Sequence, residues 1–149
     1  MKVALVCSSG GHLTQLYRLE PWWREHERLW VTFDTRDATS LLRDERTVWA
    51  HHPTTRNPPN ALRNLRLAWR TLRRERPDVV VSDGAGVAVP FFIVAKLLGV
   101  RTVYLEVVDR VDSRTLTGRL VYPLTDLFCA QWADQVNLYP RAVDVGALL

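Results

Sequence analysis

Cysteine is scarce, which excludes a disulfide-stapled fold: Cys7 and Cys129 both lie in apolar runs and are expected as reduced packing residues of the first and last strands. Long hydrophobic runs are missing as well. The longest mainly apolar stretch, residues 87–100, is interrupted by Pro90, Lys96 and Gly99 and falls short of the roughly 20 residues a spanning helix needs. No secretory leader or membrane anchor opens the sequence, so a cytoplasmic location is expected, with peripheral membrane contact left open. Neither a full dinucleotide fingerprint nor a phosphate-binding lysine loop occurs, which argues against NAD or ATP. His51 and His52 are adjacent, project differently and have no cluster of Cys, His or carboxylates beside them, so no metal and no other cofactor is expected. Repeats, linkers and low-complexity segments are also lacking, and the 149 residues, 47% hydrophobic and 24% charged, fit a single domain over residues 1–149.

Lysine is nearly absent, and what stands in its place is arginine: 18 of the 20 basic residues, within a net charge of +4. Many fall between Arg56 and Arg76. The skew suits phosphate or anionic-lipid surfaces through bidentate contacts, although scattered arginine also simply solvates a surface. No nucleic-acid partner is expected.

The hydrophobic pattern alternates between strand and helix. Lys2-Val3-Ala4-Leu5-Val6-Cys7 reads as a strand, Ser8-Ser9-Gly10-Gly11 as a turn, and Leu13, Leu16, Tyr17 and Leu19 as one face of a helix. Pro21 with Trp22-Trp23 closes that helix or opens an aromatic corner, where the tryptophans serve core packing or interfacial anchoring. Strands are expected over 29–33 and 47–50, with a short helix over 37–46 between them. Residues 51–59 form the longest irregular stretch, and long loops in compact domains tend to be functional. Asn60 is expected to cap an amphipathic helix that ends before Pro77, with Leu62, Leu65, Trp69 and Leu72 beside Arg63, Arg66, Arg70, Arg73 and Arg74. That basic flank is read first as a solvated face and second as a surface for anionic lipid. A buried strand over 78–82, a turn at Asp83-Gly84-Ala85-Gly86, an apolar helix to Leu98 capped by Gly99, and strands over 101–106 and 125–130 complete the pattern. The tail from Val143 onward adds an edge strand or docks on a partner. The fold class is therefore α/β: a Rossmann-like, doubly wound parallel sheet of about six strands with right-handed crossovers.

In such sheets the binding crevice lies beyond the carboxyl ends of the strands where the strand order reverses, between strands one and four. The turns after those two strands are rich in glycine, at Gly10, Gly11, Gly84 and Gly86. They either let backbone N–H groups and helix N-termini approach a diphosphate or merely make tight strand-to-helix bends. His12 stands near a helix start, where the dipole disfavours its charged form; it is either a proton acceptor or a residue that orients the loop. Glu106, at the end of strand five, is a substrate ligand or base on one reading and a solvated carboxylate or partner of Arg110 on the other.

Four segments in order, Ser8-Ser9-Gly10-Gly11-His12-Leu13, Ser82-Asp83-Gly84-Ala85-Gly86-Val87-Ala88-Val89-Pro90, Tyr104-Leu105-Glu106 and Leu116-Thr117-Gly118-Arg119-Leu120-Val121-Tyr122-Pro123, followed by Phe128, Gln131-Trp132 and Tyr139-Pro140, resemble one family. It is the membrane-recruiting subunit of the split N-acetylglucosaminyltransferase that adds the second sugar to dolichol-linked oligosaccharide, with bacterial relatives in capsule and exopolysaccharide assembly. The resemblance implies the amino-terminal half of a GT-B transferase, with a separate UDP-sugar-binding subunit as partner, a polyprenyl-diphosphate-linked sugar as acceptor and peripheral attachment to the cytoplasmic membrane face. It further implies inverting, metal-independent displacement, with Ser9, Gly10, Gly11, Gly84, Ala85 and Gly86 facing the lipid diphosphate and His12, then Glu106, as candidate bases. Two other readings stay open: an activating scaffold that contributes no reacting group, and a free-standing nucleotide-binding domain. Unlike the eukaryotic members the sequence shows no amino-terminal spanning helix, and it carries Asp83 before its second glycine turn.

Overall fold

A computed structural model describes residues 1–147 as one parallel sheet wrapped by helices on both faces. The strands are β1 (Lys2–Val6), β2 (Glu27–Phe33), β3 (Thr47–Ala50), β4 (Val79–Ser82), β5 (Arg101–Leu105), β6 (Leu127–Ala130) and β7 (Val143–Asp144), and the helices are α1 (Gly11–Tyr17), α2 (Glu20–Trp23), α3 (Arg36–Leu41), α4 (Pro58–Glu75), α5 (Ala88–Leu98), α6 (Leu116–Val121) and α7 (Ala133–Leu138). The sheet order is β3-β2-β1-β4-β5-β6-β7, every pair parallel. The chain thus winds outward from β1 in one direction and from β4 in the other, so the reversal point falls between them, where the glycine turns lead to expect it. The seventh strand comes from the tail, as one of its two readings held; Leu148 and Leu149 lie outside the described residues.

Central strands are buried on both faces, and their side chains divide by parity. Ala4, Val6, Val31 and Val80 face one way into a core with Phe91, Phe92, Tyr104 and Phe128, roofed by α4, α5 and α6. Val3, Leu5, Cys7, Trp30, Val79 and Val81 face the other way against Leu13, Leu16, Trp23 and Ala38 from α1, α2 and α3. Trp23 is therefore a core residue and Trp22, its neighbour, a half-exposed one, because successive helical positions point about 100° apart. Both cysteines are buried and unbridged. The helices on the second face stop short of the far strands: an open depression of about 1050 Å³ there is lined by Val81, Val103, Leu127 and Cys129, with Met1, Trp22 and Val145 at its edge.

Two boundaries differ from the sequence reading. The cap of α4 is Asn57, whose Oδ1 accepts from the Asn60 N–H at 3.1 Å, and Asn60 lies inside the helix, donating to the Pro53 carbonyl at 2.9 Å. Prolines 58 and 59 occupy the first two helical positions, where a missing N–H costs nothing, so the helix starts before them and not after. The helix expected over 37–46 ends at Leu41. Beyond it Arg28 ties down Glu45 with two hydrogen bonds of 2.7 Å, which turns the chain into β3.

Candidate functional site

The two glycine turns meet at one side chain, His12. It projects from the first turn of α1 toward the second bend, where its Nδ1 lies 3.1 Å from the Asp83 carbonyl oxygen and 3.5 Å from the Asp83 carboxylate Oδ1. The close fit needs a glycine at position 84: φ is +128°, and a Cβ built there would sit 3.0 Å from the His12 ring and 3.1 Å from the Tyr104 hydroxyl. Ala85 follows at φ +63°, a left-handed conformation that β-carbon crowding makes uncommon outside glycine, asparagine and aspartate. The bend after β4 is thus shaped to receive the imidazole.

Asp83 is fully buried, and burial raises its carboxyl pKa to about 6 even though His12 and Gln15 pull it down. Its Oδ2 accepts from Gln15 Nε2 at 3.0 Å, while Oδ1 has no hydrogen bond among the described residues and faces only the imidazole. For His12, burial works downward, but the hydrogen bond to Asp83 and its negative charge outweigh it, so the imidazole is held above its usual pKa. The helix start was expected to disfavour the charged form, and contact with Asp83 acts against that. A buried carboxylate in contact outweighs the dipole of a seven-residue helix.

Glu106 does not fit the reading of a solvated carboxylate or a partner of Arg110. It is wholly buried, neither solvated nor paired with Arg110: one oxygen accepts from the Val107 N–H at 3.0 Å, the other from the Tyr139 hydroxyl at 2.8 Å, and Thr115 Oγ1 lies 3.3 Å from both. Thr115 in turn caps α6 by accepting from the Gly118 N–H at 2.9 Å. The carboxylate pins both ends of the 107–115 loop. Gly118 is required for this closure, since a Cβ there would come within 2.5 Å of both Glu106 Oε2 and the Tyr139 hydroxyl.

A buried amide relay joins the two carboxylate regions. Gln131 Nε2 donates to Gln15 Oε1 at 2.8 Å and to the Glu106 carbonyl at 2.9 Å, and Gln135 Nε2 donates to the carbonyls of Val107 and Arg110 at 2.9 and 2.7 Å. The effect is to hold the loop after β5 against the first turn of α1. Between them lies a cleft of about 250 Å³ walled by Gly11, His12, Asp83 and Val107 to Asp109. On the other side of the same imidazole opens a larger trough of about 930 Å³ lined by Thr54, Ala85, Gly86, Val89, Leu116 and Leu120 among others.

Of the diphosphate candidates, Gly11 lines the cleft and Ala85 and Gly86 line the trough. The Gly10 N–H is already taken, donating to Asp37 Oδ2 at 2.8 Å, although the residue itself is exposed, and Gly84 is buried and packs on His12. Ser9 is half-buried in the turn, its carbonyl accepting from the Ser8 hydroxyl at 3.3 Å. The first turn of α5 stands at the rim of the trough, where Ala88 already donates its N–H to the Ala85 carbonyl at 3.1 Å and Pro90 has none to give. Among the described residues no three of His, Cys, Asp and Glu gather as metal ligands, and His52 stacks on Phe33 at 5.0 Å.

Comparison with known proteins gives three findings. Residues 41–148 match the family described as "Oligosaccharide biosynthesis protein Alg14 like". The human "UDP-N-acetylglucosamine transferase subunit ALG14" is 25% identical over 180 residues, covering all of this chain and 83% of its own; its counterpart from Eremothecium gossypii is 37% identical over 102 residues, 64% of this chain and 45% of that one. Among solved structures, MurG from Acinetobacter baumannii superimposes with a TM-score of 0.74 at 18% identity over 90% of this chain. A UDP-GlcNAc 2-epimerase from Methanocaldococcus jannaschii, in complex with UDP-GlcNAc and UDP, superimposes with a TM-score of 0.76 at 15% identity over 98%. The chain spans 43% and 46% of those two proteins, less than half of each.

Proposed function

The chain belongs to the family of Alg14-like oligosaccharide biosynthesis proteins, and from that membership we propose that it is the acceptor-side subunit of a two-chain, UDP-sugar-dependent glycosyltransferase. The fold likeness to little more than two fifths of larger enzymes supports a division of labour in which a separate polypeptide grips the sugar nucleotide. UDP-N-acetylglucosamine is the first donor to test, being the one named for the relatives. The acceptor is a sugar on a polyprenyl diphosphate, presented at the cytoplasmic face of a membrane to which the chain attaches peripherally. No helix among the described residues is long and apolar enough to cross a membrane.

The observation that carries this reading is His12, which walls both the smaller cleft and the apolar trough. With Nδ1 turned to Asp83, Nε2 is the nitrogen left to meet a substrate. The acceptor hydroxyl gives its proton to Nε2 as its oxygen attacks the anomeric carbon of the donor; the bond from that carbon to the diphosphate oxygen breaks, and UDP departs with inversion. Asp83 stabilises the imidazolium that forms, as a carboxylate does behind a catalytic histidine. The lipid diphosphate lies at Gly11 and at the Ala85–Gly86 bend, against the start of α5, whose helix dipole favours an anion. Glu106 acts through structure, fixing the loop that walls the cleft, and His12 is the base.

In the assembled complex His12→Ala is expected to lower kcat by about 10²- to 10⁴-fold with little change in donor KM, the range for removing a general base. Unchanged turnover, with the complex intact by size-exclusion chromatography, would instead establish the chain as an activating scaffold.

A further inference from the structure

The trough that begins at His12 does not end at α6. It shares Leu65 and Ile93 with a second depression of about 560 Å³ that runs on along Trp69, Val94 and Leu97, so α4 and α5 bound one continuous apolar channel. Its lips are aliphatic and exposed: Leu62 is 62% accessible, Leu97 71% and Leu116 72%. A contiguous apolar surface of this kind marks an interaction site, whereas isolated exposed leucines do not.

The charge around it has one sign. Arg56, Arg66 and Arg70 line the two depressions and no carboxylate does. Residues 46–74 hold seven arginines and no acid, and residues 84–105 and 113–125, which supply α5 and α6, hold no acid either. Elsewhere on the molecule arginines find partners, as in Arg28 with Glu45 and Arg46 with Glu75, but Arg66 and Arg70 make no ion pair among the described residues. Arg73 lies over the Trp69 ring, 5.3 Å from its centre.

We infer that this channel, between α4 on one side and α5 with α6 on the other, is the face on which the chain docks to an anionic phospholipid bilayer. The arginines meet lipid phosphates while Leu62, Trp69, Leu97 and Leu116 enter the hydrocarbon boundary, the stems of the arginines lying along the apolar floor. The inference rests on the acceptor-side reading above, which needs the His12 end of the channel to open where a lipid-linked sugar emerges. A second copy is a poor occupant, because a two-fold contact would set arginine against arginine. An acidic protein would satisfy the charges but not the continuity between the exposed aliphatic lips and the reactive imidazole.

The test is co-sedimentation of the full chain with vesicles of phosphatidylcholine alone and of equal parts phosphatidylcholine and phosphatidylglycerol. Wild type is expected to pellet with the mixed vesicles and to be released by salt. Leu97→Ser with Leu116→Ser, and separately Arg66→Glu with Arg70→Glu, are each expected to weaken that binding by roughly tenfold or more, since each removes one of the two contributions to interfacial affinity. Arg24→Glu with Arg43→Glu, just beyond the ends of α2 and α3 on the opposite face, is expected to leave it intact. These side chains are exposed, so circular dichroism should match wild type in every case. Vesicle binding retained by both channel variants, or lost equally in the opposite-face variant, overturns the assignment, as does a channel variant that changes only self-association or capture of the partner subunit. Sugar transfer to a water-soluble short-chain acceptor separates this from the catalytic reading: the Arg66→Glu, Arg70→Glu variant, whose changes lie outside the trough at His12, supports the docking face if it transfers normally yet no longer pellets.

Discussion

At the scale of single residues, the buried contact between His12 and Asp83 gives the site a definite pH behaviour. Asp83→Asn removes the charge that holds the imidazole pKa up, so the acid limb of kcat/KM for the assembled transferase is expected to move to lower pH, while the maximal rate falls because the imidazolium loses its counter-charge. The same substitution has a stability signature of known sign. Asp83 titrates near 6 in the fold against an ordinary 3.8, so its neutral form is the one the fold prefers: that contribution is present below about 3.8 and lost as pH rises through about 6. The asparagine variant cannot ionise, and denaturant titrations should show wild type losing ground to it across that window. His12 and the glycine bends were legible in the sequence because they follow strands of evident pattern. Gln15, Gln131 and Gln135 were not: the relay they form depends on pairs 68 and 116 residues apart, and an isolated glutamine carries no local signature. Glu106 was found for its place at a strand end, but only packing could reveal that a tyrosine, a threonine and a main-chain N–H enclose it.

Elements join the site to the rest of the molecule, and α4 shows how. Its start is set by Asn57, so Asn57→Ala is expected to cost about 1 kcal/mol by urea unfolding, the typical loss of a side-chain cap. Its end is held by Glu75, which accepts from Lys2 Nζ at 3.0 Å and from Arg46 Nη2 at 2.9 Å, tying the helix to β1 and to the residue before β3. Those cations hold the Glu75 carboxyl down at about 2 against an ordinary 4.5, although its burial acts the other way. A depressed carboxyl stabilises the fold above the unfolded value and loses that effect as pH falls through the folded one. Wild type should therefore weaken between about 4.5 and about 2, and Glu75→Gln should flatten that part of an acid-unfolding curve. The apolar period of α4 and its strand–turn–helix neighbours could be read directly, since the 3.6-residue and two-residue repeats differ plainly in this chain. The cap could not be placed from the sequence alone, because two asparagines bracket two prolines and only the folded loop shows which one turns its carbonyl oxygen onto the helix.

For the whole molecule, the reversal of strand order between β1 and β4 places both glycine bends on one side, and His12 between them. The alternation of strand and helix made that topology readable, and the two-residue seventh strand stood as one of two readings of the tail because so short a segment has no period of its own. The aliphatic channel beside the site was hidden for a different reason. Leu62, Ile93 and Leu116 come from three separate helices, and each alone reads as part of a buried stripe. On the proposed function, the fold, the bends and the imidazole serve a chain that receives one substrate and depends on a second polypeptide for the other. Sugar transfer from UDP-N-acetylglucosamine to a polyprenyl-diphosphate-linked sugar, measured for this chain alone, for its candidate partner alone and for the two mixed, tests that most directly. Product is expected only from the mixture; rapid turnover by this chain alone is the contrary result.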